Sequence, residues 1–306
     1  MGSTALTIAI MKMLALAGVG IALRATKLLK REHAKVLNSL IIYAALPALV
    51  FRVARQTDLS WDLARVAGIA WVVGGVGFAV AWGIARLLRL PKRTAAAFIL
   101  VTALGNTGYI GYPVTTMLLG AKSLPQAVFY DVFGTVALLF TVGIMIAGRM
   151  GKHEGPISVV KELLTAPALV ALMAGLASRL VPVSGSVETS VMDWLGILAN
   201  MTVPLVMISL GLTLTAKGFK GRLAVLGVTG AVKLLLLPIV AALAAVALGE
   251  TSGMRLVMLQ AGMPSMMLTL VISERFGLDT DFTASAILAT TMACVVTVPL
   301  VQMLLG

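Results

Sequence analysis

Two hydrophobic stretches of this chain, one in each half, are interrupted in the middle by glycine and proline. The first reads Gly105-Asn106-Thr107-Gly108-Tyr109-Ile110-Gly111-Tyr112-Pro113, the second Gln260-Ala261-Gly262-Met263-Pro264-Ser265. Proline has no amide hydrogen and its ring collides with the preceding turn, so a helix running through either stretch breaks or kinks. Inside a bilayer a broken helix persists only where protein, water or a ligand satisfies its freed amides and carbonyls. Two breaks at corresponding places in two repeats point to a binding site near the membrane midplane.

Composition puts the chain in a bilayer. Of 306 residues, 59% are hydrophobic and 12% charged, with a mean hydropathy of +1.03. No single soluble core buries apolar runs of this length. Ten apolar segments are predicted, at 5–23, 36–54, 64–88, 94–119, 126–147, 164–181, 192–214, 222–248, 254–273 and 282–304. The first lacks a basic leader and a cleavage site and is expected to be retained. Gly2 does not fit a myristoylation signal, because Leu6 stands where Ser or Thr is needed. The single cysteine, Cys294, lies inside an apolar segment, which leaves no disulfide framework and no metal-ligand cluster.

The formal net charge is +12. Its basic residues fall in short connectors and not along one helical face, so they read as orientation signals toward anionic lipid and not as a nucleic-acid surface. Odd-numbered connectors hold sixteen Lys and Arg against six in the even-numbered ones. The odd connectors are therefore predicted cytoplasmic, with both termini outside, in a multi-pass protein of the cell (inner or plasma) membrane. The connector at 149–163 divides the chain into blocks 1–150 and 151–306. Pro47 and Pro204 occupy the second segment of each block, Pro113 and Pro264 the fourth. Five crossings per block is an odd number, so the second block runs inverted relative to the first.

The candidate site gathers around the breaks. Half-helix N-termini near Pro113 and Pro264 present amides and partial positive charge to an anion. Asn106 and Thr107 flank the first break, Gln260 and Ser265 the second, and the amide side chains offer both donors and an acceptor. Gly111 permits unwinding ahead of Tyr112 and Pro113, and Gly105, Gly108 and Gly262 allow close backbone approach. Met263, Met266 and Met267 either line a cavity or pack a core. Asp131, beside Tyr130 in the fifth segment, is either a proton carrier in the bundle interior or a solvated acid at the outer surface. Lys233 lies mid-segment, too far from either end to reach water. Its expected partner is Asp131, a bared carbonyl at a break, or the substrate anion. Lys12 is expected to snorkel, His33 and His153 to be solvated, and Glu274, Arg275, Asp279 and Asp281 to form a solvated turn. The sequence has no nucleotide loop, catalytic triad or metal-ligand spacing, so neither an enzyme nor a cofactor is expected.

The stretch Asn106 to Pro113, the run Ala45-Leu46-Pro47-Ala48-Leu49-Val50-Phe51, Lys233 to Pro238, and Gly262-Met263-Pro264 followed by Arg275-Phe276-Gly277 together resemble the auxin efflux carrier family. That family includes plant PIN-type exporters and bacterial permeases named as malonate transporters. The resemblance implies an all-α polytopic fold of ten transmembrane helices, as two inverted five-helix repeats with broken helices 4 and 9 crossing at Pro113 and Pro264. It implies a scaffold of helices 1, 2, 6 and 7, a transport domain of helices 3–5 and 8–10 moving as an elevator, and a homodimer. It implies a small organic anion, a mono- or dicarboxylate, within which an auxin-like acid falls. Asn106 matches a crossover asparagine, and Tyr130 and Asp131 match a substrate-contacting fifth helix. The missing central loop, with Asp131 and Lys233, departs from the plant pattern and marks a prokaryotic member. The leading expectation is a secondary active or facilitative transporter with a proton as coupling ion. The alternatives are a sodium-coupled organic-anion symporter of bile-acid-symporter type and a membrane sensor that binds a ligand without moving it.

Overall fold

The computed structural model describes residues 3–152, 158–181, 185–213 and 221–304. Gly2, His153, Lys217 and Lys220 lie outside these. Among the described residues the chain is helical, and its one extended pairing is an isolated bridge. In order the helices are α1 (Ser3–Ala25), α2 (Arg31–Gln56), α3 (Trp61–Leu87), α4 (Lys92–Ala103), α5 (Gly111–Leu119) and α6 (Ala121–Met150). They continue with α7 (Val159–Leu164), α8 (Pro167–Ser178), α9 (Gly185–Thr213), α10 (Leu223–Ala247), α11 (Met254–Ala261), α12 (Leu268–Arg275) and α13 (Thr280–Leu304). Six of them, α2, α3, α6, α9, α10 and α13, are long and apolar enough to cross a membrane. Each apolar segment expected from the sequence falls on one helix or on two helices either side of a break. Breaks separate α4 from α5 and α11 from α12 as expected. A further one, at Thr165-Ala166 ahead of Pro167, divides α7 from α8.

Proline shapes the helices that do continue. Pro47 and Pro238 each follow a widened π-type turn, Ile41–Ala45 and Val232–Leu236. Each ring lacks the amide that would close on the carbonyl four residues back, and it crowds that carbonyl, so the turn opens. Two more widened turns, Tyr130–Val136 and Leu139–Gly143, lie in α6 without any proline.

The helices pack in two sets. In the first, α1 lies on the second half of α9, α2 packs on α8 and on α9, and small residues set the distances. A Cβ added at Gly20 or Gly211 would run into backbone of the opposite helix, and one at Gly175 into Phe51 and Ala54 of α2. In the second set, α3 packs on α4, α6 and α10, and α13 packs on α4 and α10. Gly77 meets Ala103 there, and Gly134 meets Ala70. Many outward residues of both sets are large and apolar, among them Ile197, Leu180 and Leu243, as lipid-facing surface requires.

In the turn between α12 and α13, expected to be solvated, Glu274, Arg275 and Asp281 are exposed, whereas Asp279 is partly buried. Asp279 accepts hydrogen bonds from Thr94 Oγ1 (2.8 Å), Arg222 Nη1 (3.1 Å) and the Phe282 amide (3.0 Å). Arg93 donates to the carbonyls of Gly277 and Leu278, and the Lys152 amide to Phe276 O (2.9 Å). Gly277 holds a φ of 62°, which favours glycine at this tight reversal. Partial burial pushes the Asp279 carboxyl up, but these hydrogen bonds and the Arg222 charge outweigh it and hold the group below its usual range. One carboxylate thus ties the starts of α4 and α10 to the start of α13.

Candidate functional site

The two main breaks meet. Gly105 and Ser265 form an antiparallel bridge, the Asn106 amide donates to Pro264 O (2.7 Å), and the Met266 amide donates to Leu104 O (3.0 Å). Backbone groups freed by the loss of helix therefore satisfy one another across the gap, as a membrane interior demands. Glycine makes the approach possible at three points. A Cβ at Gly105 would stand 3.0 Å from Lys233 Nζ, one at Gly108 2.8 Å from Asp131 Oδ2, and one at Gly111 would overlap Gln260 Oε1.

Lys233 is fully buried and donates to Ala261 O at 2.7 Å. Ala261 O is the bared carbonyl among the partners expected for Lys233, and among the described residues no ion pair joins Lys233 to Asp131. Asp131 is buried and not at a water interface. Its Oδ1 accepts from Thr107 Oγ1 (2.5 Å) and its Oδ2 from the Tyr112 hydroxyl (2.7 Å). The widened turn that carries Asp131 is steadied from α3, where Trp71 Nε1 donates to Phe133 O at 2.7 Å.

The remaining candidates divide. Ser265 is spoken for: its hydroxyl donates to Val101 O (2.6 Å) and its amide to Thr290 Oγ1 (3.0 Å). Met263 is fully buried, and Pro113 is buried in the first turns of α5. Gln260 Nε2 donates to Thr115 Oγ1 (3.2 Å), placing that side chain behind Gly111. Tyr130, also buried, borders a small polar space with Thr107, Lys233 and Gln260.

A cavity of about 280 Å³ lies between the two helix sets. Ile42, Tyr43 and Leu46 of α2 and Thr165 to Ala168 at the start of α8 form one wall. The first break, α6 and α12 form the other. Three of the four widened turns contribute lining residues: Ile42 and Tyr43, Asp131 and Val136, Leu139 and Phe140. The deep end holds Asn106, Tyr109 and Asp131, all buried, whereas Thr165 and Arg275 are exposed. Among the described residues, neither Asn106 Nδ2 nor the Tyr109 hydroxyl has a hydrogen-bond partner. Two buried donors at one end of a mostly apolar cavity can donate to an acceptor group placed between them.

Sequence reading passed over Tyr109, Thr165 and Arg275. Tyr109 stood inside the break motif and carried that signal. Pro167 marked the start of α8 and hence the turn at Thr165. Arg275 sat among charges that read as surface.

Residues 5–302 match the family model described as membrane transport protein. An "Uncharacterized transporter" of Methanothermobacter thermautotrophicus is 31% identical over 303 residues, covering 98% of this chain and 97% of that one. One from Methanocaldococcus jannaschii is 30% identical over 281 residues, covering 86% and 87%. A Rhizobium meliloti protein provisionally named a malonate transporter is 27% identical, covering 86% and 84%. With a match that spans nearly its whole length, the chain belongs to the membrane transport protein family.

Proposed function

We propose that this protein is a secondary transporter of a small organic anion that works by alternating access. The observation that carries the reading is the pair of unpartnered donors, Asn106 Nδ2 and the Tyr109 hydroxyl, at the buried end of a cavity between two helix sets. An anion's carboxylate satisfies both, and the bridge between the breaks fixes their position. The name given to the Rhizobium relative supports an organic acid as cargo.

In this reading the chain forms ten membrane crossings as two inverted blocks of five, 1–150 and 151–306. The first set (α1, α2, α8 and α9) is the scaffold. The second carries the site and slides against it, in a homodimer of the cell membrane with both termini outside. The packing of each set mainly on itself supports the division. Asp131 borders the anion and takes up a proton with it, since two negative charges in one dry pocket repel strongly. Lys233 supplies the fixed positive charge that holds the second break together. Purified protein in liposomes tests this: labelled malonate and related acids should accumulate when an inward proton gradient is applied, without sodium. Accumulation that requires sodium, or binding with no uptake, rejects the proton-coupled reading.

A further inference from the structure

One face of α12 lines the cavity. Leu268, Val271, Ile272 and Arg275 all line it, at the i, i+3, i+4, i+7 spacing of a single helical stripe. From the first to the last of these the helix advances about 10 Å. The stripe begins beside the stitched breaks, where Asn106 is bonded to Pro264 and Met266 to Leu104. It ends at the Arg275 guanidinium. The cavity lining is mostly apolar, and Ile42, Leu46 and Leu139 of the other elements contribute to it.

A carboxylate held at Asn106 and Tyr109 therefore projects its carbon chain along an apolar channel toward a cation. Guanidinium is a planar fork of donors that grips a carboxylate through two parallel bonds, and it does so best where water is partly excluded. Resting on the transport reading above, we propose that Arg275 is the specificity-determining residue for a second carboxylate. The preferred cargo is then an α,ω-dicarboxylate whose charges are separated by a chain of several methylenes. Malonate, with a single carbon between its carboxylates, is too short to reach both ends.

A purely structural Arg275 makes a different forecast. The residue ends α12, where a cation suits the helix dipole, and its Cζ lies 5.2 Å from the centre of the Phe276 ring. Losing those contacts alone impairs every substrate equally.

The test compares adipate with hexanoate, which has the same chain and one charge fewer, in proteoliposomes of wild-type protein, Arg275→Gln and Arg275→Lys. The expected result is that wild type prefers adipate to both hexanoate and malonate. Arg275→Gln should raise the adipate KM about ten-fold or more while leaving that for hexanoate within about two-fold. Arg275→Lys should recover part of the loss, since it keeps the charge without the fork. Equal losses for both acids, or no change for either, overturn the assignment while the transport reading stands. Wild-type uptake of malonate in preference to adipate also overturns it and leaves that reading intact. Failure of wild type to take up or bind any of the three acids overturns both.

Discussion

Lys233 Nζ lies 2.7 Å from the carbonyl oxygen of Ala261, the last residue of α11. A buried ammonium at the carbonyl end of a half-helix answers both the unpaired acceptor and the partial negative charge there. Because Nζ also sits against Gly105, one side chain from α10 touches both breaks. Lys233→Met should leave Ala261 O buried without a donor and cost about 1–3 kcal/mol. Thermal unfolding in detergent measures the loss, and uptake should fall with it. An unchanged melting temperature contradicts the capping role.

Asn106→Ala should behave differently. The Asn106 amide, not its side chain, bonds to Pro264, so the stitch survives truncation. Its Nδ2 has no partner to lose among the described residues. Protein yield and melting temperature should stay near wild type while anion uptake drops at least about ten-fold, the worth of a charge-assisted hydrogen bond. Normal uptake removes Asn106 from the receptor.

Asp131→Asn retains the shape of the side chain but cannot take up or release a proton. Uptake measured across pH 5 to 8, roughly the span of physiological switching, should lose its pH dependence in the variant. A wild-type profile makes Asp131 a structural acceptor for Thr107 and Tyr112 only.

Asp279 supplies a second pH test, on stability. Its hydrogen bonds hold the folded carboxyl below the usual value, so its contribution is fully present above the unfolded pKa, near 3.9. That contribution disappears as pH falls through the lower folded value. Asp279→Asn should therefore be less stable than wild type at pH 7, by about 1–3 kcal/mol. The gap should shrink once pH drops below about 4. A gap that is constant with pH rules out the charge as its source.

Two glycines make a controlled pair. A Cβ at Gly211 collides with the Ala17 carbonyl of α1, whereas one at Gly227 meets nothing within 4 Å. Gly211→Ala should destabilise by about 1–3 kcal/mol through overpacking. Gly227→Ala should be neutral or gain up to about 1 kcal/mol from helix propensity. Detergent melting curves of the two variants decide the matter.

Much of this fold was readable from residue order because glycine and proline act locally. The interruptions at 105–113 and 260–265 follow from backbone chemistry alone; the opened turns ahead of Pro47 and Pro238 were not expected, and Pro299 lies in α13 without one. The opened turns in α6 carry no such mark. The first of them, Tyr130–Val136, lies where α6 rests on Ala70 and Trp71 of α3, a contact between segments far apart in sequence. The depth of Asp131 was equally hidden, since two hydroxyls from elsewhere enclose it. Asp279 read as surface because its partners, Thr94 and Arg222, come from two other helices. Local pattern reports where a helix stops; it does not report what another helix brings to that point.

The stitch between the breaks also dictates an order of assembly. Leu104 and Asn106 leave the ribosome long before Pro264 and Met266, the residues that complete their bonds. Until then the earlier segment carries bare peptide groups that lipid cannot answer, and it must borrow water or a chaperone. A nascent chain cut anywhere ahead of Pro264 thus exposes a wound that only its own tail can close.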